Sequence, residues 1–158
     1  MWSDARLPRR AALAGLLALA GCGFAPVYGT GDALRGTLAY EAPETVLGYR
    51  LIERLEDRLG SPRDARALLR VGLSVGQGAA AIDAEGDLVR FSVNGAADWA
   101  VVGPEGVEAD GRVTAFTGYS ATGSTVATAA AQRDAEARLA VILADMIVAQ
   151  VLMRAGAE

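Results

Sequence analysis

Histidine and lysine are both absent from this chain of 158 residues, and cysteine occurs once, at Cys22. Without histidine, the commonest general base and the commonest metal ligand are missing. A single cysteine allows no internal disulfide, and a zinc site would have to be built from carboxylates alone, against the metal's preference for nitrogen and sulfur. No metal and no cofactor are therefore expected.

Catalytic patterns are scarce as well. There is no G-x-S-x-G elbow, no Gly-rich phosphate loop and no nucleophile–base pair. Gly76-Gln77-Gly78 and Thr122-Gly123-Ser124 are expected to be small-residue loops. Asp83-Ala84-Glu85-Gly86-Asp87 lacks the ligand spacing and terminal Glu of a calcium loop. Glu105/Glu108 and Asp134/Glu136 are carboxylate pairs on expected turns and helix edges, where solvated structural roles are commoner than acid–base work. The expectation is that the chain is not an enzyme.

What is present begins at the amino terminus. Arg6, Arg9 and Arg10 form a charged start, Ala11 to Ala20 an apolar run, and Leu19-Ala20-Gly21-Cys22 closes the segment. That order is the order of an export signal. The run is shorter than the roughly 20 residues a spanning helix needs. Arg9-Arg10 leaves twin-arginine export open beside the general route.

Leu-Ala-Gly-Cys resembles the lipobox of bacterial lipoproteins. The resemblance implies that residues 1–21 are removed and that Cys22 is the lipidation site, anchoring the chain without spanning the membrane. Lipoprotein sorting further implies that Gly23, rather than Asp, directs the protein to the outer membrane.

The remaining 137 residues suit one domain. The whole chain carries −4 and residues 1–21 carry +2, leaving −6 on the mature part. A mildly acidic chain argues against a nucleic-acid binder held by phosphate neutralisation. All fifteen basic residues are arginine. That set suits bidentate phosphate recognition, and it equally follows from a GC-rich genome.

Residues 22–36 are dotted with Gly and Pro and are expected to be a lipidated tether; residues 37–158 form the domain. A short strand is expected at Thr37–Glu41. A helix follows over Val46–Leu59, with Thr45 as N-cap, a stripe of Leu47, Leu51, Ile52, Leu55 and Leu59, and Gly60 and Pro62 as stop signals. Period-two alternation marks strands at Leu69–Val75 and Val89–Val101, and another is expected at about Glu108–Tyr119. A long helix over about Ala127–Arg154 is apolar on more than one side, which predicts cover from both the sheet and the partner helix. The order β-α-β-β-β-α, with one apolar face per strand, predicts an α+β two-layer sandwich. Its two helices pack on one face of a four-stranded mixed sheet: a parallel β-α-β crossover followed by an antiparallel meander.

The run Leu19-Ala-Gly-Cys-Gly-Phe-Ala-Pro-Val-Tyr-Gly29 resembles the start of the LptE family of lipopolysaccharide-assembly lipoproteins, and the element order is similar to that family's domain. The resemblance implies an outer-membrane lipoprotein facing the periplasm and tethered to the inner leaflet through its lipid. It would plug an LptD-type β-barrel, assist that barrel's assembly and take part in lipopolysaccharide transport to the surface. The alternative is the auxiliary lipoprotein of a periplasmic lipid-transport ABC system; a lipid-anchored hydrolase is the weakest reading. With lysine absent, contact with lipopolysaccharide phosphates must come from arginine. Arg70, Arg90 and Arg112 fall in the polar phase or at the start of their strands. They are the expected lipopolysaccharide-binding residues, on the sheet face the helices leave uncovered, although ordinary solvated residues would show the same phase.

Overall fold

The computed structural model describes residues 34–82 and 88–155. Cys22, the export signal and residues 23–33 of the expected tether lie outside the described residues. Six elements follow in the order β1 (Leu38–Glu41), α1 (Val46–Leu59), β2 (Ala67–Ile82), β3 (Leu88–Gly103), β4 (Gly106–Ser120) and α2 (Thr125–Ala155).

Helix α1 begins where expected. Thr45 holds an extended backbone, and its hydroxyl accepts a hydrogen bond from the Gly48 N–H at 3.0 Å, satisfying one of the orphan donors of the first turn. Leu51, Leu55 and Leu59 recur every four residues and are fully buried. The helix stops at Gly60, whose φ of 88° is open to glycine and strained for other residues, and whose N–H donates to the Glu56 carbonyl at 2.8 Å. The chain just before β1 is bonded to this helix end, since the Gly36 N–H donates to the Leu59 carbonyl at 2.9 Å.

The sheet order is β1-β2-β3-β4. β1 runs parallel to β2, from Leu38 opposite Ala67 to Glu41 opposite Arg70. The β2–β3 and β3–β4 pairs are antiparallel. Both helices pack on one face: they lie over β1, β3 and β4 and against each other. The expected two-layer α+β sandwich is the observed fold. Along β3, Val93, Ala97, Trp99 and Val101 are buried among Leu139, Leu143 and Ile147 of α2, while Asn94 and Asp98 face solvent. Phe91 and Tyr119 stack, ring centroids 5.3 Å apart, toward the far end of the β3–β4 ladder.

Three features differ from expectation. β2 continues to Ile82, so Gly76-Gln77-Gly78 is strand rather than loop, paired with Asn94, Val93 and Ser92. Glycine has weak strand preference, and it is the ladder with β3 that holds these residues extended. Val75 sits in the buried phase yet is 46% exposed, because the cover that buries Leu69 and Val71 thins along β2, where Leu73 is only half-buried. The long helix is less covered than its composition implies. Val141, Ile142, Met146 and Met153 are exposed, since the 14 residues of α1 shield only part of the 31 of α2.

Candidate functional site

The one-sided helix layer leaves the polar phase of the sheet as a continuous outer face, and the expected arginines stand on it. Arg70 on β2 donates through Nε to Glu41 Oε2 at 3.1 Å. Arg112 on β4 donates to both carboxylate oxygens of its cross-strand neighbour Asp98 at 2.8 Å. These two belong to the same end of the sheet, in rows passing through Ala100 and Asp98 of β3. Arg90 lies eight residues along β3 from Asp98, about 26 Å away at the strand rise per residue. All three side chains are exposed. The fold thus brings Arg70 and Arg112 near one another, each already holding a carboxylate, and sets Arg90 apart. An incoming phosphate would compete with Glu41 and Asp98 at the first two positions.

Between these ends the outer face is a shallow dish of Ser74, Gly76, Asn94, Ala96, Thr114 and Phe116. Small side chains keep the backbone near the surface there, and Phe116 projects with 74% of its area exposed. The dish offers hydrogen-bonding groups and one aromatic ring.

A second recess opens at the C-terminal end of α2. Leu38, Val101, Ala109 and Val151 line it, with Glu108 and Arg154 among its polar members. Gln150 and Arg154 also hold Trp99: the indole N–H donates to Gln150 Oε1 at 2.9 Å, and the Arg154 guanidinium lies 5.5 Å from the ring centroid. In the sequence Gln150 looks like a break in an apolar run; nothing local shows that it has a partner 51 positions away.

The third feature is a strand edge. β1 pairs with only the first four residues of β2, so among the described residues no strand borders β2 beyond Arg70 on that side. From Val71 to Ile82 this edge contains no charged residue and no proline.

Two titrations are shifted. Burial, aided by the nearby Glu56 carboxylate, pushes the Tyr40 hydroxyl up to about 12; its O–H donates to the Gly60 carbonyl at 2.8 Å. Hydrogen bonding to Asp145, reinforced by that carboxylate's charge, raises Arg54 further above its already high value. Arg54 reaches Asp145 through Nε and Nη2, both at 3.1 Å, tying α1 to α2. Among the described residues no cluster of three or more carboxylates could hold a metal ion, and no helix is long and apolar enough to cross a membrane.

No family model and no curated protein matches the chain. Solved structures do. A Caulobacter crescentus protein assigned as a lipoprotein is 27% identical, with a TM-score of 0.63, covering 82% of this chain and 98% of its own. The rare lipoprotein B of Shewanella oneidensis is 16% identical with a TM-score of 0.57, covering 72% of this chain and 92% of its own. A minor lipoprotein of Acinetobacter baumannii is 18% identical with a TM-score of 0.56, covering 75% and 91% respectively. The chain therefore shares its fold with a group of proteins described as lipoproteins.

Proposed function

We propose that this protein is a lipid-anchored lipoprotein of the outer membrane, facing the periplasm. In this reading it plugs an LptD-type β-barrel, assists that barrel's assembly and takes part in lipopolysaccharide transport. The observation that carries the proposal is a fold shared with lipoproteins, over 98% of the Caulobacter chain, in a chain that carries Leu19-Ala20-Gly21-Cys22 ahead of it. Cys22 supplies the anchor. The role is mechanical: the domain fills a lumen and contributes contacts, not a reaction. An acidic chain whose outer sheet face carries the Arg70–Glu41 and Arg112–Asp98 pairs at one end and a dish of small polar residues beside them suits a polar lumen wall, and the exposed apolar stripe of α2 supplies contact area that water alone would not favour. Arg70, Arg90 and Arg112 are the proposed contacts for lipopolysaccharide phosphates.

Affinity purification from detergent-solubilised membranes tests the reading. A large β-barrel in near-equal amount is the expected partner. An inner-membrane permease complex in its place would overturn the plug and favour the auxiliary subunit of a lipid-transport ABC system.

A further inference from the structure

We propose that the edge of β2 from Val71 to Ala79, which no strand among the described residues borders, is a docking edge. It takes an extended, uncharged peptide segment of the partner protein as an added strand, collinear with β1. The identity of the partner rests on the barrel-plug reading above; the edge rests on the sheet itself.

β1 already shows that this side of β2 can pair. It occupies the edge over four residues in parallel register and ends at Glu41 opposite Arg70; Pro43 follows and has no N–H to extend the ladder. Beyond Arg70, β2 stays in regular pairing with β3 through Ala79, and the first irregularity falls between Ala79 and Ala81. Along that stretch alternate residues present an N–H and a C=O to the open side, roughly four of each. Gly72, Ser74, Gly76 and Ala79 are exposed, and Val75 is 46% exposed on the helix-side face. An arriving strand would meet backbone, small side chains and two apolar anchors at alternate positions, Leu73 and Val75. That is how strand addition works: main-chain bonds supply affinity, and alternate side chains supply selectivity.

The opposite edge of the sheet is defended. β4 carries Glu108, Asp110 and Arg112 on its exposed phase. From α2, Arg138 donates to the Gly118 carbonyl at 3.1 Å, while Thr117 Oγ1 donates back to the Ala135 carbonyl of that helix at 3.0 Å. Charges and cover are the devices by which sheets avoid unwanted pairing. The β2 edge carries no charged residue of its own over Val71–Ala79, and its side-chain bond to α2 there is Gln77 Nε2 donating to Glu136 Oε1 at 3.3 Å, on the helix-side face.

Enclosure sharpens the point. A plug seated in a lumen loses water along part of its surface, and unpaired backbone groups that lose water must find other partners. A closed barrel wall has no free edge to offer. The added strand must therefore come from a loop or terminal stretch of the partner that leaves the wall.

The test is amide hydrogen exchange of the chain alone and of the chain co-purified with its barrel, together with Val75→Lys, which puts an inward charge on the edge. The expected result is exchange slowed about tenfold or more across Val71–Ala79 in the complex, with about tenfold less barrel retained by Val75→Lys. A barrel that co-purifies while Val71–Ala79 exchanges as in the free chain overturns the inference and leaves the plug intact. Absence of any barrel partner overturns both. Protection of Val71–Ala79 in the isolated chain, with a doubled solution mass, also overturns it, because the edge then serves a second copy.

Discussion

The indole N–H of Trp99 donates to Gln150 Oε1 at 2.9 Å, joining the middle of the sheet to the last turns of α2. Trp99 is 2% exposed, so its N–H needs a partner inside the protein, and Gln150 interrupts the apolar face of α2 to provide one. The bond links the two layers beside the recess that Glu108 and Arg154 help to line.

This arrangement sets the stability cost of its members. Trp99→Ala should lower stability by roughly 3–5 kcal/mol through the lost area and the cavity left behind. Gln150→Ala should cost about 1–3 kcal/mol by stranding the indole N–H. Asp98→Ala on the outer face should change stability by no more than about 0.5 kcal/mol, because its pair with Arg112 is solvent-exposed. Denaturant unfolding of the three variants checks the ranking; equal losses at positions 98 and 99 would contradict the assigned faces.

Two glycines in strands should respond in opposite ways to alanine. A Cβ at Gly95 would stand 2.8 Å from Leu139 Cδ2 and 3.2 Å from Leu143 Cδ1. Gly95→Ala should therefore cost about 1–3 kcal/mol by pushing α2 from the sheet. A Cβ at Gly76 meets nothing within 4 Å, so Gly76→Ala should leave stability unchanged within about 0.5 kcal/mol or raise it. Paired denaturation midpoints decide the matter.

Tyr40 makes stability depend on alkaline pH. Its hydroxyl is pushed up to about 12 in the fold against about 10 in an unfolded chain. Between those values the unfolded chain loses the proton first, so stability is full below about pH 10 and falls as pH rises toward 12. Tyr40→Phe should flatten that decline while losing about 1 kcal/mol at neutral pH with the bond to the Gly60 carbonyl. Urea midpoints measured from pH 8 to pH 12 provide the comparison.

Lipid anchoring is tested at one atom. Cys22→Ser should accumulate as an unprocessed precursor that incorporates no labelled palmitate. Processing and membrane retention of this variant would remove the anchor from the proposal.

The arginine assignment has its own test. The triple variant Arg70→Ala, Arg90→Ala, Arg112→Ala should fold and bind the barrel normally yet lose lipopolysaccharide in co-purification, since each guanidinium can pair bidentately with phosphate. Undiminished retention at physiological salt would show that these residues are solvated or paired with carboxylates, as Arg70 and Arg112 already are with Glu41 and Asp98.

Much of this architecture is written in local spacing. Leucines at 51, 55 and 59 need only the helical period to share a face, and Thr45 and Gly60 act on groups within four residues, so both ends of α1 follow from the sequence alone. Strict alternation from Val89 to Val101 likewise assigns every residue of that stretch to a face, because strand geometry permits no other outcome. The order of elements and the one apolar face per strand were enough to imply a two-layer sandwich. Tertiary structure decided what depends on distant partners. Whether Gly76-Gln77-Gly78 is loop or strand was settled by pairing with Ser92–Asn94, since glycine carries almost no preference of its own. How much of α2 is covered depended on the length and placement of α1. That Arg70 and Arg112 each face a carboxylate while Arg90 stands apart arose from sheet register, which the strand sequences leave open. Register and layer coverage are properties of elements meeting, and residue spacing within one element fixes only which face it offers for burial.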